Sequence, residues 1–292
     1  MTDFIQRFHF SDSPVRGELV QLGTSVEEVL DRHAYPERVA RLLAEAMAAS
    51  VLLTTTLKFQ GSLTLQARGD GPLQTLMVEC NHRREVRGIA SVADDWTEDM
   101  AELSLAQLFG ADAQLAITID PEEGQRYQGI VPLDGSTLAQ CLEHYFMQSE
   151  QLPTRIWLAS HDESAAGLLL QVLPGHDRGE DADIWPRLCQ LSETVTDDEL
   201  LALPASQLLY RLYHEETVEL YESESVSFHC SCSRERTERV LLSLGADELR
   251  GIIADQGAIE VACQFCNQEY RFDPIDVEQL LRGGAVVTGQ LH

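Results

Sequence analysis

Long apolar runs, a basic leader and positive charge are what this sequence has least of. Nowhere do eighteen apolar residues run together, and the opening MTDFIQRFHFSDSPVRGELV has no basic stretch leading into an apolar one. Neither a membrane span nor a secretory signal is therefore expected. Only 21 lysines and arginines stand against 48 aspartates and glutamates, a formal charge of -27. Such a chain repels a phosphate backbone unless a local basic patch overrides the field of the whole molecule. The expected setting is the cytosol, with neither nucleic acid nor membrane as partner.

Paired disulfides and catalytic signatures are lacking too. A reducing compartment disfavours a static disulfide framework, and an odd count of seven cysteines cannot pair completely. Clustered thiols then point to metal or redox chemistry. The glycine-rich stretch RGDGP at 68–72 has no lysine and serine or threonine to make a phosphate loop, and reads as a turn between strands. Glu215 and Glu216 have no nucleophile or H-E-x-x-H motif beside them and read as solvated charge at a helix end. No catalytic residue is expected, and the chain is read as a non-enzyme.

What is present is a folding sequence of 292 residues, 44% of them hydrophobic. Val39, Leu42, Leu43, Ala46 and Met47 fall at helical spacing, predicting a helix from Tyr35 to about Val51 that opens on Pro36. Leu57, Phe59, Leu63 and Leu65 then alternate. GPLQTLMVEC, REVRGIASV, AQLAITID and RYQGIVPLDG repeat short strand-like runs between turns. A second helix is predicted over STLAQCLEHYFMQSE, followed by strands TRIWLAS and GLLLQVL. Runs of strands with helices between them favour an α+β fold over a regular βαβ winding.

Composition then divides the chain. Residues 1–174 read as an N-terminal sheet domain with packed helices. Between Pro174 and Ser225 only Arg178, Arg187 and Arg211 offset thirteen acidic residues. Leucines 200, 201, 203, 208, 209 and 212 nevertheless require that segment to pack, so 175–225 reads as a helical linker of modest stability. The remainder, 226–292, holds four cysteines and too few large apolar residues for a secure core of its own.

Cys230 and Cys232 form C-x-C, and thirty residues later Cys263 and Cys266 form C-x-x-C. Brought together by a hairpin-like return, the two pairs complete the tetrahedral shell that Zn²⁺ prefers, with Phe265 and Tyr270 placed to shield it. Spacing alone leaves the role open between a closed structural site and a switch. A bond between Cys230 and Cys232 would close a very small, strained ring that is readily reduced again. Arg234, Arg236 and Arg239 beside them would favour thiolates, or would merely neutralise the centre or pair with Glu235 and Glu238. Metal binding contributes on the order of 10 kcal/mol to the folding of such domains, so oxidising the ligands would unfold this one and loosen the linker. That would expose an apolar surface able to hold other proteins.

The other thiols are ranked below these four. Cys141, on the apolar stripe of a predicted helix, and Cys80, at a strand end, read as packing residues. Cys189 lies in the loose linker, where switching would expose it. His214 and His229 flank the switch region, and His229 is read as unligated because four cysteines suffice.

The segments VRGELV, RYQGIVPLDG, YFMQSEQLPTR, RLYHEE and, above all, CSCSRER followed by CQFC resemble the heat shock protein 33 family over essentially the whole chain. The resemblance implies a redox-regulated bacterial chaperone, inactive while reduced, with one Zn²⁺ on Cys230, Cys232, Cys263 and Cys266 in a C-terminal redox domain. It implies that oxidation releases the metal, pairs Cys230 with Cys232 and Cys263 with Cys266, and unfolds the linker. The oxidised protein would dimerise and hold unfolded clients without ATP. Two other readings compete with it. One is a zinc-dependent nucleic-acid or regulatory binding module using Arg234, Arg236, Arg239, Arg250 and Arg271. The other is a thiol-disulfide oxidoreductase working through Cys263 and Cys266.

Overall fold

The computed structural model describes residues 3–11, 13–56, 60–174, 181 and 183–287, with side chains through 282. Leu57, Phe59 and Arg178, which carried part of the sequence reading, lie outside the described residues. Two compact units divide the chain, Met1–His229 and Cys230–His292.

The first unit begins with β1 (Phe4–Phe10), β2 (Val15–Leu22), α1 (Thr24–Leu30), α2 (Glu37–Thr56), β3 (Gly61–Arg68), β4 (Leu73–Asn81) and β5 (Glu85–Val92). It continues through α3 (Leu105–Phe109), β6 (Gln114–Pro121), β7 (Tyr127–Pro132), α4 (Leu138–Tyr145), β8 (Thr154–His161) and β9 (Ser164–Val172). The acidic segment supplies α5 (Ile184–Ser192), α6 (Asp197–Ala202), α7 (Ala205–Tyr213), β10 (Val218–Leu220) and β11 (Glu224–Ser225), and β12 (Ser227–Phe228) follows it. The fold is α+β, as the strand runs predicted.

One sheet has the order β10-β1-β2-β9-β8, with β11 also on β1, and the other β12-β5-β4-β3-β6-β7. Neighbours are antiparallel except β12 with β5. Helix α2 packs against strands of both sheets. It is apolar nearly all round, which suits a helix enclosed on several sides. It runs five residues beyond the expected Val51, ending where Thr54, Thr55 and Thr56 turn their hydroxyls back onto carbonyls one turn earlier. Among the described residues it is the one helix long and apolar enough to cross a membrane, and it is a core helix, 78% buried over that window.

The strands record how many of their faces are covered. β3 alternates buried and half-exposed residues, because only one face meets the core. β2 is buried almost throughout, since Val20 and Leu22 face α2 while Val15 and Leu19 enter a second cluster on the opposite face. That second cluster is where the acidic segment docks: Leu188, Leu200, Leu208, Leu209, Leu212 and Tyr213 close over Phe8, Phe10 and Leu168. Gly17, paired with Phe8, leaves room for the aromatic ring, which a Cβ would meet at 2.1 Å. Gln21 donates to the Leu200 and Leu203 carbonyls at 2.7 and 2.9 Å, satisfying orphan acceptors at the end of α6.

Helix α5 lies within the segment expected to be helical and carries Pro186. Proline is tolerated there because it falls in the first turn, where its missing N–H is not needed. Glu216 is not the solvated charge expected: it accepts from Arg187 Nε at 2.6 Å and its side chain is only 14% exposed.

The second unit comprises α8 (Arg234–Leu244), α9 (Ala246–Gln256), β13 (Ile259–Ala262), β14 (Glu269–Phe272) and α10 (Pro274–Val287). Its buried core is Leu241, Leu249, Ile259, Phe272 and Val277.

Candidate metal centre

Cys230 and Cys232 lie in the irregular chain between β12 and α8. Ser233 follows at once and caps α8, its hydroxyl accepting from Arg236 N at 3.2 Å. This starts a helix, with its positive end, directly after the second thiol. Cys263 and Cys266 sit in the turn joining β13 to β14. Cys263 N donates to Gln268 O at 2.9 Å, Asn267 N donates to Cys263 O at 2.8 Å, and Asn267 takes the left-handed conformation that closes the turn.

The two stretches converge. All four sulfurs lie within 4.8 Å of one another. Cys230 Sγ is 3.7 Å from Cys263 Sγ, and Cys232 Sγ is 3.3 Å from Cys266 Sγ. Four sulfurs at about 2.3 Å from one tetrahedral centre stand about 3.8 Å apart, so the donor set and its spacing fit a single ion of the zinc type. None of the four is joined in a disulfide, and all are half-buried.

Electrostatics favour a cation at this place. Burial pushes the Cys232 thiol up, and it pushes Cys266 up to about 12, with the neighbouring cysteines adding to the rise. Alone, these two sulfurs would stay protonated at neutral pH; a divalent cation reverses that by stabilising thiolates. Tyr270 on β14 donates its hydroxyl to Cys232 Sγ at 3.2 Å, and this bond is the main cause that lifts Tyr270 itself to about 12. Sequence reading placed Tyr270 as a shield; its role as a hydrogen-bond donor to sulfur needed the structure.

The arginines expected to act on the thiols are largely engaged elsewhere. Arg234 pairs with Asp276 at 2.9 Å and Glu238 at 3.4 Å, donates to the Arg271 carbonyl at 2.9 Å, and lies over the Phe272 ring. Arg236 donates to Ser231 O at 3.0 Å and Oγ at 2.6 Å. Arg250 pairs with Glu278 at 2.8 Å and Arg271 with Glu260 at 2.6 Å. A basic face for nucleic acid is thereby partly neutralised by carboxylates of the same unit. Cys263 and Cys266 occupy a hairpin turn, not the helix start that thiol-disulfide oxidoreductases use.

The lone thiols are elsewhere. Cys80 and Cys141 are fully buried, and burial raises both, Cys80 to about 12. Cys189 is half-buried on α5 and raised to about 11, chiefly by burial. His229 is exposed, and the cluster contains cysteines only.

A sequence profile described as "Hsp33 protein" matches residues 3–273. The chain is 50% identical over 289 residues to the 33 kDa chaperonin of Pseudomonas fluorescens strain SBW25, covering 98% of this chain and 95% of that protein. It is 50% identical over 279 residues to the 33 kDa chaperonin of Hahella chejuensis, covering 95% and 96%. Among crystal structures, the 33 kDa chaperonin of Thermotoga maritima superposes with a TM-score of 0.82 at 23% identity, over 97% of this chain and 99% of that one, a likeness of fold.

Proposed function

The chain belongs to the Hsp33 family and is a chaperone, and from that premise we propose a redox-regulated holdase that keeps unfolded proteins from aggregating without ATP. The observation that carries the reading is the convergence of four sulfurs within 4.8 Å, in a unit whose core cluster, among the described residues, has five buried apolar members. Cys230, Cys232, Cys263 and Cys266 hold one Zn²⁺ in the reduced state, and the ion supplies the folding energy that the small core lacks.

Peroxide removes the ligand set. Four thiols and two molecules of H₂O₂ give two disulfides and four of water, the sulfurs losing four electrons in all. Following the family resemblance, Cys230 pairs with Cys232 and Cys263 with Cys266. Disulfide sulfurs are no longer thiolate donors, so the metal leaves and the unit built on it unfolds.

In this reading the chain acts in three parts: a sheet domain over 1–174, a metastable linker over 175–225 and a redox switch over 226–292. Linker helices α5 to α7 cover the outer face of the first sheet, so their release uncovers Phe8, Phe10 and Leu168 and frees Leu208, Leu209 and Leu212. That is an apolar surface of the kind that holds unfolded chains. Dimerisation of the oxidised protein, clients in place of nucleic acid, and a cytoplasmic setting complete the proposal.

The test is client aggregation at mild heat. Peroxide-treated protein is expected to suppress it, and the reduced, zinc-loaded form is not. Equal suppression by both forms would contradict the switch.

A further inference from the structure

The chain between the acidic helices and the first cysteine is a strap laid across both sheets. β10 and β11 pair with β1 of one sheet, and β12 pairs with β5 of the other. Backbone bonds recur along it: Tyr221 N to Arg7 O at 3.0 Å, Val226 N to Asp3 O at 3.0 Å, Ser227 N to Arg84 O at 3.1 Å and His229 N to Val86 O at 3.1 Å. The next residue is Cys230. Val226 is buried in the main core, and the Phe228 ring lies beneath the Arg32 guanidinium at 4.2 Å.

One side chain ties this strap to both sheets. Glu224 Oε1 is 3.0 Å from Arg7 Nη2 on β1, and Glu224 Oε2 is 3.2 Å from Arg84 Nη2 in the turn between β4 and β5. Arg84 holds the left-handed backbone conformation, uncommon for a residue with a Cβ, and touches the strap twice, through its guanidinium and through the carbonyl that receives Ser227. Surface ion pairs contribute little, but the Arg84 side chain is only 13% exposed, and that of Glu224 35%. Arg7 is the exposed member of the bridge at 43%, so the Arg84–Glu224 pair is the one that costs more to release than an exposed pair.

We propose that Glu224 is a positioning residue of the switch, a clamp that decides whether loss of the metal is passed on to helices α5 to α7. The proposal rests on the function inferred above. While the thiols are ligated, the strap is anchored beyond its far end at Cys230. Once they are not, the pairing of β10, β11 and β12, the burial of Val226 and the Arg7–Glu224–Arg84 bridge keep the strap seated, and opening it frees the chain that follows Tyr213. The bridge therefore sets the threshold between a protein that has lost its metal and one that has released its linker.

The test uses tryptic cleavage of the full-length, reduced protein at Arg187 and Arg211, the cleavable sites on α5 and α7. Cleavage tracks the population of the opened segment when opening is fast. In chelator-treated protein, Glu224→Gln and Arg84→Gln are each expected to cleave about fivefold faster than the unsubstituted chain, and the double variant no faster than either single one. With metal bound, the same substitutions should change the rate less than about twofold and leave the metal stoichiometry at one per chain. Glu219→Gln, a strap carboxylate that contacts His9 on β1 and the Ser11 hydroxyl just after it, is the control and should have little effect in either form.

Unchanged cleavage of the metal-free Glu224→Gln protein would overturn the clamp while leaving the metal switch intact. An equal acceleration with and without metal would also overturn it, by reducing the bridge to general stability. Absence of any metal dependence in the unsubstituted protein would overturn the switch and the clamp together.

Discussion

Met47 on α2 and Phe272 on β14 are both buried, but what surrounds them differs. Met47 sits among apolar side chains from both sheets and several helices, and needs no further support. Phe272 shares its cluster with Leu241, Leu249, Ile259 and Val277, and its other neighbours are partly exposed. A core that small does not offset the conformational entropy of ordering some sixty residues, so the second unit depends on its four sulfurs in a way the first does not. On the proposed function, the same chain contains a fold held by packing and a fold held by ligation, and chemistry at sulfur addresses only the second.

The largest effect that could break this comparison is metal removal. Chelation of the reduced protein should cost the cysteine unit about 10 kcal/mol and collapse amide protection across 230–287. Protection of β3, β4 and α2 should persist. Loss of protection in both units together would show that they do not differ as described.

Next comes the second cluster, which belongs to the packed unit but carries the acidic helices. Leu208→Ala should destabilise the docking of α7 by about 3 kcal/mol, read as faster exchange over Ala205–Tyr213, with metal stoichiometry unchanged. A change in metal content would mean that packing and ligation are not separable.

Titration sharpens the contrast from the packed side. Glu18, buried on β2 and accepting from Thr55, is raised from its ordinary 4.5 to about 8, with desolvation the first cause and Arg16 the largest opposing one. Between those values the native chain keeps a proton that the unfolded chain has given up. Stability of the first unit should therefore be full below about pH 4.5 and fall as pH rises towards 8, by at most roughly 1.4 kcal/mol per pH unit from this group. Glu18→Gln should remove that slope, as measured by denaturant unfolding at several pH values, without altering metal affinity.

The smallest effect lies in the ligated unit. Tyr270→Phe deletes the O–H donated to Cys232 Sγ and should weaken metal binding about tenfold in a chelator competition, while leaving the hairpin of β13 and β14 folded.

How far each region could be read from sequence follows the same division. The four cysteines that converge were legible because C-x-C and C-x-x-C are local patterns of a rare residue. Strands β3 to β7 were legible because alternation survives where one face of a sheet is covered. β1 and β2 were not: β2 is covered on both faces, which erases the alternation that marks a strand. Helix α5 carries a proline that its first turn accommodates, and helices α8 and α9 were hidden by a composition too polar to announce a core. The Arg7–Glu224–Arg84 bridge joins residues scattered over more than two hundred positions, and no spacing rule could find it.

The central claim is that ligation of four sulfurs holds the chaperone off. One peroxide titration at mild heat, following metal release, free thiols and client aggregation in the same sample, tests it most directly. The account predicts that one Zn²⁺ per chain leaves as four thiols disappear, with suppression of aggregation rising over the same range of peroxide. Full suppression before any metal or thiol is lost, or complete metal release with no gain in suppression, would contradict it.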